Sequence, residues 1–171
     1  ALAAAAVGLL LGETPELIAQ GLVSYQASGM RQNIYEQDGY QIYADCYNAS
    51  PDAMEATLSV LGGMAGDGRR FAVLGSMLEL GDYAEEGHRR AGRAAAQYAD
   101  ALYAYGPDAA AMVAGAREKG MEHAYAFDDQ TALVAALRED ATKGDALLFK
   151  GSRGMRMERA LAMFLGEEVE A

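Results

Sequence analysis

A single cysteine, Cys46, leaves the chain unable to form an internal disulfide, and at 171 residues it needs none, since a chain of this size buries roughly 70% of its unfolded surface. The two histidines, His88 and His123, lie far apart with no Cys or His partner at metal-ligand spacing, which argues against a zinc site. Cations are outnumbered 14 to 25, and the net charge of −11 opposes binding to a phosphate backbone, so no nucleic-acid partner is expected. The one long apolar run, Ala1 to Leu11, is too short to span a bilayer and lacks the basic flank of a signal peptide. No membrane association follows from it; a buried or partly buried helix does. No G-x-x-x-x-G-K-S/T sequence occurs, so the backbone cradle and lysine that hold the β and γ phosphates of a nucleotide are missing. The glycine-rich Gly62 to Gly68 precedes a strand instead of following one, the wrong order for a dinucleotide fingerprint. These features suit a compact cytoplasmic domain.

What is present is regular alternation. Ala1 to Leu11 and Pro15 to Tyr25 read as helices, the second capped by Thr14 and started by Pro15, before a hinge at Gln26-Ala27-Ser28-Gly29. Arg31 to Glu36 and Tyr40 to Ala44 flank Gln37-Asp38-Gly39 as a hairpin with an Asp-Gly turn. Helices are then predicted at Pro51 to Met64, Ala84 to Tyr98, Asp108 to Lys119, Gln130 to Ala141 and Met157 to Leu165. Strands are predicted between them at Arg70 to Leu74, Ala101 to Tyr105, Ala124 to Phe127 and Ala146 to Lys150. Such βα units make an α/β fold of three αβα layers, with a doubly wound, mostly parallel, Rossmann-like sheet behind a short helical leader. Arg89, Arg90 and Arg93 fall on a glutamate-rich helix and read as a solvated face with Glu85–Arg89 and Glu86–Arg90 pairs.

Two stretches carry chemistry. Lys150-Gly151-Ser152-Arg153-Gly154-Met155-Arg156 joins the last strand to the last helix, where unpaired helix N–H groups and the helix dipole favour an anion. Lys150, Arg153 and Arg156 add charge there; alternatively, Ser152 only caps the helix and the basic residues are solvated. Asp45-Cys46-Tyr47-Asn48-Ala49-Ser50-Pro51 lies at the carboxyl end of another strand, the edge at which open α/β sheets bind ligands. Ser50 is a natural N-cap, Cys46 a packed thiol, and Asp45 and Asn48 are either ligand groups or the closure of an Asx turn.

Three ordered segments, Asp45 to Met54, Leu74-Gly75-Ser76-Met77-Leu78-Glu79-Leu80-Gly81 and Lys150 to Glu158, resemble the Mur ligases of peptidoglycan synthesis. The resemblance is to those members that add D-alanyl-D-alanine to UDP-N-acetylmuramoyl-tripeptide, and it extends over nearly the whole chain. It implies that residues 1–28 are the tail of the central ATPase domain and a hinge, that residues 29–171 are the C-terminal domain, and that the piece is inactive alone. It also implies ATP and Mg as cofactors, bound mainly by the central domain, with the N-terminal and central domains of the same enzyme as partners.

Roles at matching positions follow from the same resemblance. Arg31 is similar to a hinge arginine that reaches the ATP phosphates, Asp45 to an aspartate that contacts ribose and orients that arginine, and Asn48 and Ser50 belong to the segment against adenine. Ser50 replaces a second asparagine, and Ser76 an aspartate, so neither carries the family's side-chain chemistry. Lys150, Ser152 and Arg153 resemble the residues that hold the dipeptide or the tripeptide end, with Gly75 and Ser76 beside them. No catalytic residue and no metal ligand is assigned. A similar histidine accompanies the motif in the family, and packing near the cleft is the role expected of His88. A different amide ligase of this family and a non-catalytic anion-binding α/β module remain the alternatives.

Overall fold

The computed structural model describes residues 2–24, 31–64 and 66–167; the expected hinge at Gln26 to Gly29, and with it the 28/29 boundary, lies outside them. Helix α1 (Leu2–Leu10) packs on α2 (Pro15–Val23), with Ile18 closing on Gly8. Thr14 caps α2 by accepting a hydrogen bond from the Leu17 N–H. Of the two expectations for α1, buried or partly buried, the structure shows the lesser: none of its residues is buried, Ala5 and Gly8 are half-buried, and Leu2 and Leu10 are 89% and 86% exposed. A helix flanked on one side by a single short neighbour can cover only that side.

Strands β1 (Asn33–Gln37) and β2 (Tyr40–Asp45) form the antiparallel hairpin, and both turn residues, Asp38 and Gly39, take the left-handed conformation that such a tight turn requires, with φ of 54° and 86°. There follow α3 (Pro51–Gly62), β3 (Arg70–Gly75), α4 (Ala84–Tyr98), β4 (Ala101–Tyr105), α5 (Ala109–Glu118), β5 (Ala124–Phe127), α6 (Gln130–Asp140), β6 (Ala146–Lys150) and α7 (Met157–Leu165). The six strands run in the order β1-β2-β6-β3-β4-β5, parallel throughout except for β1.

Side-chain alternation in the strands divides the core. Tyr43, Ala72, Leu74, Leu102 and Leu148 meet Met54, Leu58 and Leu61 of α3, Ala91 and Ala95 of α4, and Met112 and Ala116 of α5. On the opposite face Ile42, Phe71, Val73, Leu147 and Phe149 meet Leu133 and Leu137 of α6 and Met157, Leu161 and Phe164 of α7. This is the doubly wound arrangement predicted from the pattern. Because β6 sits between β2 and β3 while its following helix crosses to the other face, crevices open beside the carboxyl end of β6. Those are the positions where sheets of this kind take ligands.

The arginine face of α4 differs from the expected solvated stripe. Arg89 does pair with Glu85, but Arg90 reaches Asp52 and Glu55 of α3 rather than Glu86. Arg93 takes Glu86 and, with Arg89, Glu118 of α5. The helix lies between α3 and α5, so its cations find carboxylates on those neighbours as well as on α4 itself. Arg69 and Arg70 lie at the other end of the sheet, paired with Asp140 and Asp100, and these guanidinium hydrogen bonds hold both carboxyls below their ordinary range.

Candidate functional site

Asp45 and Lys150 end β2 and β6 and are partners in the strand register. Adjacent residues of parallel strands point to the same face, here the α3 face. Lys150 Nζ therefore donates to Asp45 Oδ2 at 2.5 Å and to the Asn48 carbonyl at 2.9 Å, with the lysine side chain 2% and the aspartate side chain 10% exposed. Asp45 Oδ1 accepts from the Gln32 N–H at 3.2 Å, which ties the chain entering β1 to the carboxyl edge of the sheet. Gln32 holds a left-handed φ of 49° at that point. The Arg31 guanidinium lies 3.8 Å from the ring centre of Tyr47, so cation–π contact with Tyr47 orients it, where the resemblance implied Asp45.

These groups surround a cleft of about 750 Å³ lined by Arg31, Asn33, Ile34, Asp45, Tyr47, Asn48 and Lys150. Its size, aromatic wall, amides and the Arg31 cation fit a polar ligand such as a nucleotide better than an apolar one. Asn48 Oδ1 accepts from the Ala49 N–H, and Ser50 caps α3 through the Ala53 N–H, so the Ser50 hydroxyl is already engaged. Cys46 points to the opposite face, where its thiol donates to the Phe149 carbonyl and burial pushes its pKa up to about 12. A thiol-reactive disulfide reagent at about pH 8 is therefore expected to leave Cys46 unmodified until denaturant is added. Equal labelling rates with and without denaturant would contradict that packing.

The turn after β6 divides its residues between two places. Lys150 belongs to the cleft just described, whereas Ser152 and Arg153 lie beyond it. Ser152 does not cap α7: its Oγ accepts from the Leu78 N–H at 2.9 Å, joining the turn to the loop after β3. Residues Arg153–Met155 form a short 3₁₀ turn, Arg156 follows at φ 47°, and α7 begins without a side-chain cap. Arg153 is 58% exposed and donates to Glu158 at 2.9 Å, placing a cation and a carboxylate side by side at the rim.

Gly75 and Ser76 form the floor under this turn. A Cβ at Gly75 would lie 2.8 Å from Met157 Sδ and 2.9 Å from Met155 Cβ. Ser76 is fully buried, its Oγ accepting from the Asp108 N–H at 3.0 Å and donating to the Tyr105 carbonyl. His88, also fully buried, accepts the Met77 N–H on Nε2, so Nδ1 carries the proton given to the Ala84 carbonyl. Ser76 and His88 thus shape the loops around the turn. Among the described residues no group of three or more His, Cys, Asp or Glu side chains could hold a metal ion, and no helix is long and apolar enough to cross a membrane.

Residues 30–153 match the family model of the Mur ligase, glutamate ligase domain. The chain belongs to the Mur ligase family. This Mur ligase domain is 37% identical over 92% of its length to the UDP-N-acetylmuramoyl-tripeptide–D-alanyl-D-alanine ligase of Bacillus subtilis, covering 35% of that protein. To the ligase of the same name from Synechocystis it is 34% identical over 97% of its length, covering 36% of the relative. The crystal structure of MurF ligase from Thermotoga maritima in complex with ADP superposes with a TM-score of 0.80 at 33% identity, over 95% of this chain and 36% of that one. The domain thus spans about a third of the length of the relatives it matches.

Tyr47 and Gln32 also line the cleft, and Gln130 lies against the turn after β6. An aromatic between Cys46 and Asn48 at a strand exit is a signal visible in the sequence for Tyr47. Gln32 acts through its backbone, and Gln130 sits on another helix altogether; neither left a local pattern.

Proposed function

We propose that this Mur ligase domain is the C-terminal part of an ATP-dependent ligase that joins D-alanyl-D-alanine to UDP-N-acetylmuramoyl-tripeptide. In the reaction the tripeptide carboxylate attacks the γ-phosphorus, ADP leaves, and the dipeptide amine displaces phosphate from the acyl phosphate, losing a proton as the amide forms. Magnesium and most phosphate contacts belong to the preceding central domain, of which residues 1–28 are the tail and hinge; the exposed apolar side chains of α1 and α2 are consistent with cover by that domain. The Asp45–Lys150 cleft serves the nucleotide, with Arg31 held over Tyr47 to reach its phosphates and Asn48 against the base. Ser152 and Arg153 serve the dipeptide, whose two charges complement the Arg153–Glu158 pair.

The observation that carries this reading is the register pairing of Asp45 with Lys150, which brings the first and last motifs to one crevice and leaves Arg153 just outside it. In the full-length enzyme, Arg153→Ala is expected to raise the KM for D-alanyl-D-alanine about ten- to a hundred-fold, the value of one charge-assisted hydrogen bond, with the KM for ATP unchanged. Unaltered dipeptide saturation would contradict the assignment.

A further inference from the structure

Gln130, the first residue of α6, is a buried amide whose Nε2 donates to two backbone carbonyls, Met155 at 2.9 Å and Arg156 at 3.2 Å. Both carbonyls close the 3₁₀ turn that carries Arg153, and Arg156 occupies a left-handed conformation that residues other than glycine rarely hold. The Arg156 carbonyl also accepts from the Arg159 N–H of α7 at 2.9 Å, so the bond to the Met155 carbonyl is the one that ties the end of the 3₁₀ turn to α6. The carboxamide uses both of its hydrogens for the task. Asp129, one residue earlier, caps α6 through the Ala132 N–H and so fixes where Gln130 stands.

Resting on the function proposed above, we infer that Gln130 is a positioning residue for dipeptide recognition: it holds the Ser152–Arg156 turn in the shape that presents Arg153. The turn is pinned from two sides, by Ser152 to the Leu78 N–H and by Gln130 from α6. Ser152 fixes its start and Gln130 its end. Removing the second pin leaves the fold's core contacts in place while the arginine loses its fixed bearing. Lys150, anchored separately in the Asp45 cluster, is unaffected, so the nucleotide side keeps its geometry.

The test is steady-state kinetics of the full-length enzyme carrying Gln130→Met, which keeps volume without donors, or Gln130→Glu, which sets a carboxylate against two carbonyls. Both variants are expected to raise the KM for D-alanyl-D-alanine about five-fold or more, the larger effect in Gln130→Glu, with the KM for ATP unchanged. Arg153→Ala is run beside them. If Arg153→Ala raises the dipeptide KM and the Gln130 variants do not, the inference is overturned and the functional reading stands. If Arg153→Ala also leaves it unchanged, the functional reading itself falls. Equal effects on both substrates, or loss of folding in both Gln130 variants, would assign Gln130 a structural role only and overturn the inference.

Discussion

Gly115→Ala is expected to destabilise the domain by about 3 kcal/mol, lowering its thermal midpoint by about 6–12 °C. The reason is a crossing of α4 and α5 with backbone against backbone. An ideal Cβ on Gly115 would lie 2.0 Å from the Arg89 carbonyl oxygen, and one on Gly92 would lie 1.8 Å from that of Met112. Neither obstacle is a flexible side chain, so the helices themselves must part. Parting them disturbs their amino ends, where His88 accepts the Met77 N–H and the Asp108 N–H donates to Ser76 Oγ. Gly21→Ala in α2 is the control of opposite sign, since nothing lies within 4 Å of the added carbon and alanine is the better helix former by about 0.5–1 kcal/mol. Calorimetric melting of the two variants checks the pair. A Gly115→Ala domain that melts with the parent would mean that the crossing is looser than described.

Breaking the Asp45–Lys150 pair is the second large effect. Either Asp45→Asn or Lys150→Met leaves an unpaired charge in a site where the lysine is 2% and the aspartate 10% exposed. A buried ion stripped of its partner costs about 3–5 kcal/mol, much more than an exposed pair contributes. The Asp45→Asn/Lys150→Met double variant removes both charges, and its cost is expected to fall well below the sum of the single changes. Urea denaturation of the four proteins measures the coupling. Additive costs would show that the two residues do not act as one unit, and the account of a shared crevice would lose its centre.

The strands and helices were legible because each element has its own period and its own punctuation. Asp-Gly marked the hairpin, Ser50-Pro51 started α3, and the short apolar runs Ala101 to Tyr105 and Ala146 to Lys150 could be nothing but interior strands. Contacts between distant elements were not legible. That Lys150 meets Asp45, 105 residues away, depends on β6 entering the sheet between β2 and β3, and no local pattern encodes strand order. The same ignorance of neighbours explains why Arg90 was assigned to Glu86 instead of Asp52 and Glu55, and why the sequence alone does not separate a buried α1 from a partly buried one. Ser152 shows the limit most clearly. A serine before a helix reads as a cap, yet its hydroxyl serves a loop 74 residues earlier in the chain. The candidate site itself was legible through its three ordered motifs, while the division of the last motif between two places required the structure.

The measurement that tests the central claim most directly is acceptor choice by the full-length enzyme. Phosphate release is followed with UDP-N-acetylmuramoyl-tripeptide and ATP present, and either D-alanyl-D-alanine or single amino acids as acceptor. Release that depends on the dipeptide, with single amino acids inert, is the result this account predicts. Release driven by a single amino acid would place the chain in a different amide ligase of the family and contradict the role given to the Arg153 turn.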